Sequence, residues 1–224
     1  FDEAGMAVTH AVTLNHFIVF ETELENRTYI FSLNNWYQID KDYFETIQKE
    51  IMNIPIFEEE EFLTVMQEGE SEGDYNKRQD DSFFLCLDKD NFQIQNSRSK
   101  IEICDLLSRE LHFVCVKKDT RSATLSHLFA QGSVSMQLLR DSLKYMEKVV
   151  EKYNEKFPES SLEKNNFPYN RCKLIYGIST SKPGDIREVL PFFSKVNLLH
   201  HEKLVNRLGI KVALYKIPVI VRKY

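Results

Sequence analysis

Long apolar runs are missing from this chain of 224 residues, and so is any basic segment leading into one. Their absence leaves no candidate for a membrane-spanning helix and no leader-like pattern in these residues. Cysteine is scarce: Cys86, Cys104, Cys115 and Cys172 each sit inside an apolar, strand-like run, without a Cys-x-x-Cys pair or a paired loop spacing. That pattern argues against a disulfide or zinc framework and for buried, reduced thiols in a cytoplasmic protein. The six histidines are scattered, and His200 and His201, the only adjacent two, point apart on a helix and make no metal pair. No internal repeat is visible. The opening FDEAGMAVTH carries no initiator methionine and reads as a fragment of a longer protein or a trimmed chain.

The residues present are those of an ordinary globular protein, 42% hydrophobic and 28% charged, sufficient for one or two domains. The net charge of −5 conceals a division. Residues 1–110 hold 9 Lys and Arg against 24 Asp and Glu, whereas residues 111–224 hold 20 against 10. Solvated loops, such as Glu58 to Glu61 and Glu68 to Asp81, account for the acidic half in structural terms, and exposed helix faces for the basic half. In functional terms, the basic half offers a surface to phosphates, while the acidic half supplies metal-binding carboxylates or shields that surface.

A coarse reading places strands at Phe17 to Phe20 and Thr28 to Leu33, with Trp36 ending a meander. A helix follows from an Asp40 or Asp42 cap, with Phe44, Ile47 and Ile51 at helical spacing up to Pro55. Ser82 to Leu87 reads as a strand, with Asn91 to Gln95 returning beside it. Leu125, Leu128 and Phe129 suggest a short helix closed by Gly132. A second helix is then capped by Ser133 and carries the stripe Leu139, Leu143, Met146, Val150, Tyr153 and Phe157. The stretch Pro158 to Tyr169 is a loop, Cys172 to Ile178 a strand, Ser194 to Leu208 a helix with Gly209 beyond its end, and Ile210 to Ile217 a last strand.

The most informative stretch runs from Ile101 to Gly132. Ile101, Ile103 and Asp105 alternate with Glu102 and Cys104, and Phe113, Cys115 and Lys117 alternate with Val114 and Val116, the period of two strands joined at Ser108-Arg109-Glu110. Asp105 and Lys117 then close adjacent strands ahead of a helix, a common way to build a phosphodiester-cleaving or nucleic-acid-binding site. A buried aspartate at a hairpin end is also an ordinary structural feature. After Lys117, the residues Lys118, Thr120, Arg121 and Ser122 bring charge, hydroxyls and backbone N–H groups to a helix start, an arrangement suited to an anion. His127 and Gln131, four residues apart, present two side chains on one helix face to a phosphate or base, or serve as core partners.

From Asp40 to Ile178 the order helix, strand, strand, strand, helix, strand resembles the plan of the restriction-endonuclease-like core. In that plan a helix lends a glutamate, the second strand an aspartate, the third a Glu-x-Lys pair, and the next helix a Gln or Lys. The resemblance implies that Asp105 and Lys117 are catalytic, with Gln131 or His127 as the helix group, and that Asp105 with Glu72 or Glu102 supplies the metal ligands for Mg²⁺ or Mn²⁺. Cys115 stands where the plan has a glutamate, and a thiol is a poor ligand for a hard cation. Either another acid, such as Glu72 or Glu102, substitutes or the site binds without cutting.

A second resemblance rests on Trp36-Tyr37-Gln38-Ile39-Asp40, Glu72-Gly73-Asp74-Tyr75-Asn76, Glu102-Ile103-Cys104-Asp105-Leu106-Leu107, Val116-Lys117, Leu125-Ser126-His127-Leu128-Phe129 with Gln131-Gly132, and Leu190-Pro191-Phe192-Phe193-Ser194. These segments, spread over most of the chain, resemble a sporadically distributed, uncharacterised bacterial family. The resemblance implies mobile elements or antiviral defence, and no established activity.

The expectation is therefore an α/β or α+β protein with a mixed sheet flanked by helices. It comprises a β-rich portion at 1–40, a nuclease-like core of order αβββαβ at 41–180, and a C-terminal helix-strand extension at 181–224. The function expected is that of a nucleic-acid-interacting module, active with Mg²⁺ or Mn²⁺ and otherwise without cofactor. The alternative is a non-catalytic domain that binds a partner protein or a phosphorylated small molecule.

Overall fold

The structure, a computed structural model, describes residues 18–25, 27–59, 61–88, 91–93, 100–118 and 121–220. It divides into two compact units between Ile47 and Gln48. In the first, β1 (Phe20–Leu24), β2 (Arg27–Ser32) and β3 (Asn35–Gln38) form an antiparallel meander. The turn between β2 and β3 is two residues long. Leu33 and Asn34 take φ of 49° and 64°, the left-handed pair that matches the twist of a tight hairpin. Trp36 packs its ring edge-on against Phe20 and at a tilt against Phe31. Asp40 starts α1 (Lys41–Ile51) by accepting the Tyr43 N–H at 3.0 Å, and the helix continues across the division into the second unit.

The second unit is built on a mixed five-stranded sheet. Its elements in chain order are β4 (Met66–Gln67), α2 (Glu72–Arg78), β5 (Phe84–Cys86), β6 (Asn91–Gln93), β7 (Lys100–Glu102), β8 (Leu106–Ser108), β9 (His112–Lys118), α3 (Ser122–Asp141), α4 (Leu143–Lys156), β10 (Lys173–Ser179), α5 (Ile186–Val189), α6 (Phe192–Arg207), β11 (Lys211–Ile217) and β12 (Val219–Ile220). The sheet order is β11-β10-β9-β8-β5. β9, β10 and β11 run parallel, and β8 and β5 antiparallel to their neighbours. Helical crossovers separate the parallel strands, α3 and α4 after β9, α5 and α6 after β10. One sheet face, with Val114, Val116, Ile175, Ala213 and Ile217, packs on Phe57, Phe62, Leu63, Met66 and Tyr75. α3 packs on β9 and β10, and α6 on β11. Burial from both sides makes the central strands apolar throughout, as in Leu174-Ile175-Tyr176-Gly177-Ile178. The fold is mixed α+β, with helices flanking a mixed sheet.

Three expectations are corrected. The run Ile101 to Asp105 is not one strand: β7 ends at Glu102, β8 begins at Leu106, and Asp105 stands at the entrance of β8. The reason is that its N–H and carboxylate both bond to β9, which bends the chain into register there. Asn91 to Gln93 pairs with β7 rather than with β5; Ile94 and Gln95 lie outside the described residues. Gly132 does not end a helix. α3 runs through it to Asp141, and Ser142 caps α4. Helix-interior glycine costs about 1 kcal/mol relative to alanine, but a Cβ at Gly132 would stand 2.8 Å from Cε1 of Tyr176, whose hydroxyl donates to the Phe129 carbonyl. The close approach of ring and helix requires the bare backbone. β11, in the C-terminal portion, pairs along the full length of β10.

Candidate functional site

The C-terminal end of β9 brings together side chains from segments far apart in the chain. Ser71 caps α2 by accepting the Asp74 N–H at 3.2 Å and thereby sets Glu72 as its first residue. α2 packs against β9. Glu72 Oε2 receives Lys117 Nζ at 2.7 Å, and Glu72 Oε1 receives the backbone N–H of Lys118 at 2.8 Å. Lys118 Nζ donates to the Glu70 carbonyl at 2.9 Å. The Arg78 guanidinium grips both Glu70 carboxylate oxygens, at 2.6 and 3.0 Å, and holds that carboxyl below its usual range. The α2 corner is thus tied to the strand end by charge-assisted bonds at both Glu70 and Glu72.

Asp105 is 9% exposed and accepts the Val116 N–H at 2.6 Å. Its side chain takes the place of a strand partner where the β8–β9 ladder ends. Burial pushes its pKa up to about 7; the Val116 bond opposes that rise, and the charges of Asp88, Glu102 and Glu72 add to it. Glu102 accepts Gln131 Nε2 of α3 at 2.5 Å. Cys115, next to Val116, is buried, and its thiol is pushed well up by burial, with Asp105 and Glu102 contributing. It stays protonated and supplies neither a ligand nor a nucleophile.

The predicted residues are therefore joined in separate pairs. Lys117 goes to Glu72, Gln131 to Glu102, and Asp105 to the β9 backbone, within electrostatic reach of both acids. Lys118 contributes its backbone to Glu72 and its ammonium to Glu70. Arg121 precedes α3 without a side-chain capping bond and is exposed; the Ser122 carbonyl is used by Ser126 Oγ at 2.7 Å. His127 is exposed, and Thr120 lies outside the described residues. Among the described residues, no three His, Cys, Asp or Glu side chains form a group that could hold a metal ion.

Several participants were not foreseen from sequence. Glu70 and Arg78 lock the α2 corner, and Asp88 acts on Asp105. Asn76, four residues after Glu72, is 1% exposed, and among the described residues neither its Oδ1 nor its Nδ2 has a hydrogen-bond partner. The only sequence signal for it is its place in the Glu72-Gly73-Asp74-Tyr75-Asn76 segment. Polar pairs also join α3 to α6. Asn197 Nδ2 donates to Ser126 Oγ at 2.7 Å, and Ser133 Oγ lies 2.8 Å from His201 Nδ1.

A mixed sheet with an acid–lysine pair at the end of a central strand defines the class of this protein in structural terms. Residues 1–218 match the model of DUF6119, a family of unknown function, and the chain belongs to that family. Comparison with curated proteins and with solved structures gives no match.

Proposed function

We propose that this chain is a nucleic-acid-interacting module of a bacterial defence or mobile-element protein, built on a divergent nuclease-like core. The observation that carries the reading is the 2.7 Å contact between Glu72 and Lys117, which joins a helix acid to a strand lysine beside Asp105. Further support comes from α2, β5, β8, β9, α3 and β10, in which three antiparallel strands of the main sheet are followed by a helix and a parallel strand, with the β6–β7 hairpin and α4 interposed in the chain. On this reading the acid of the restriction-endonuclease plan is drawn from α2, with Glu72, Asp105 and Lys117 as its helix, second-strand and third-strand groups and Gln131 as that of the following helix. The defence setting rests on the family resemblance drawn from the sequence, and a cytoplasmic location on four free cysteines.

The activity that fits is hydrolysis of a phosphodiester with Mg²⁺ or Mn²⁺. The carboxylates of Glu72 and Asp105 are hard oxygen donors suited to either ion. When bound, such an ion supplies Lewis-acid polarisation and lowers the pKa of water. Lys117 is placed to neutralise charge on a phosphate oxygen once it leaves Glu72, and Lys118 and Arg121 add positive charge along the approach.

The test has two arms. Titration with double- and single-stranded DNA and RNA at two salt concentrations should show affinity that falls steeply with salt, and Lys117→Ala should weaken it on all sequences. Incubation with Mg²⁺ or Mn²⁺ should give cleavage that Glu72→Gln and Lys117→Ala abolish without loss of the thermal transition. Absence of binding at low salt by wild type refutes the reading. Binding without turnover leaves the second reading, a non-catalytic domain for a partner protein or a phosphorylated small molecule. That reading is favoured by Cys115 at the carboxylate position and by the neutralisation of Glu72 by Lys117.

A further inference from the structure

Asn76 poses a problem that packing alone does not answer. It is 1% exposed, and both ends of its amide lack partners among the described residues. Each unpaired polar group in a protein interior costs about 1–3 kcal/mol, and a leucine of similar volume would fill the space without that cost. A group of this kind marks an ordered water or a ligand.

Its position narrows the choice. Glu72 and Asn76 are four residues apart on α2 and share one helix face, with Cβ atoms about 5–6 Å apart. The other buried members of α2 are committed elsewhere. Tyr75 Oη donates to the Thr64 carbonyl at 2.7 Å, while Gln79 accepts the Thr64 N–H at 3.2 Å and donates to Thr64 Oγ1 at 2.7 Å. At about 100° per residue the positions follow one another around α2 and its C-cap in the order Tyr75, Gln79, Glu72, Asn76, with Glu72 only partly buried. Asn76 therefore lies on the Glu72 flank, turned away from Thr64. The same site lacks an oxygen donor, since Cys115 stands where a carboxylate is expected and the acids alone form no group of three.

We propose that Asn76 Oδ1 is an oxygen ligand, together with Glu72 and Asp105, for a divalent cation, and supplies the donor that Cys115 does not. This rests on the reading of the site as one for Mg²⁺ or Mn²⁺. A carboxamide oxygen is an ordinary ligand for hard cations. Being neutral, it adds a donor without another negative charge beside Glu72, Glu102 and Asp105. Its Nδ2 is left to donate to a phosphate oxygen or a water.

The experiment is calorimetric titration of the full chain with Mn²⁺, with thermal unfolding of the metal-free protein alongside. Wild type should bind Mn²⁺. Asn76→Leu should lose about tenfold or more in affinity, while its metal-free melting temperature equals or exceeds that of wild type because the unpaired amide is gone. Asn76→Asp keeps the oxygen, so it should bind Mn²⁺ at least as well as wild type and melt lower without metal. Asn76→Asp decides the question if the leucine variant does not fold: binding retained supports the assignment, binding lost overturns it. Wild-type affinity in a folded Asn76→Leu overturns the assignment and leaves the metal reading intact. No binding by wild type overturns both.

Discussion

Asp105→Asn should change the pH dependence of stability in a calculable way. Asp105 is nearly enclosed, and its pKa rises from 3.8 to about 7 on folding, chiefly through burial. The folded value lies above the unfolded one, so between these two pH values the native state holds a proton that the unfolded state has released. The group's contribution is fully present below pH 3.8 and is lost as pH rises through 7. Its full amplitude is on the order of 4 kcal/mol. Asparagine keeps an oxygen to accept the Val116 N–H, titrates nowhere, and adds a buried NH₂ costing about 1–3 kcal/mol. The variant should therefore be no more stable than wild type at acid pH and more stable, by about 1–3 kcal/mol, above pH 8. His112 works in the opposite sense. Burial, with Lys173 nearby, lowers it to about 4, so its contribution is present above 6.5 and is lost as pH falls through 4. Both proteins carry His112, so the difference between their urea unfolding curves isolates Asp105. A wild-type-minus-variant difference that stays constant from acid to alkaline pH would refute the reasoning.

Two further outcomes follow from packing and burial. Gly132→Ala should destabilise the second unit by about 1–3 kcal/mol, because the new methyl meets the Tyr176 ring, and urea unfolding would reveal it; a silent substitution would show that α3 and β10 separate easily. Cys104 and Cys115, buried with thiols held well above the usual range, should react with a thiol reagent only after denaturation, whereas half-buried Cys86 should react first; rapid labelling of all four would contradict the burial.

How much of the fold could be read locally depended on how much of each element's burial is expressed in nearby residues. β9, β10 and β11 are apolar runs because both faces of the central sheet are covered, and α6 is followed, past its C-cap Leu208, by Gly209, whose φ of 78° suits a residue without a side chain. α2 was invisible as a helix. Its buried face consists of Tyr75, Asn76 and Gln79, so hydrophobic spacing has only one apolar residue to register. Gly132 misled for a related reason: the backbone position that commonly ends a helix was used instead for a ring from β10.

At the site, the residue types and the placing of Lys117 at the end of β9 were legible, because strand period and charge are local properties. The division of charge along the chain and the reduced cysteines were equally readable from composition and order. The choice among acids was not. Glu72 reaches Lys117 across 45 positions of sequence, and Gln131 meets Glu102 across 29, contacts that arise only when helices and strands pack. Burial decided the rest. It raised Asp105 to about 7, disfavoured the Cys115 thiolate and enclosed Asn76 with no partner among the described residues, because the cost of removing a polar group from water depends on what surrounds it in three dimensions and not on its neighbours along the chain.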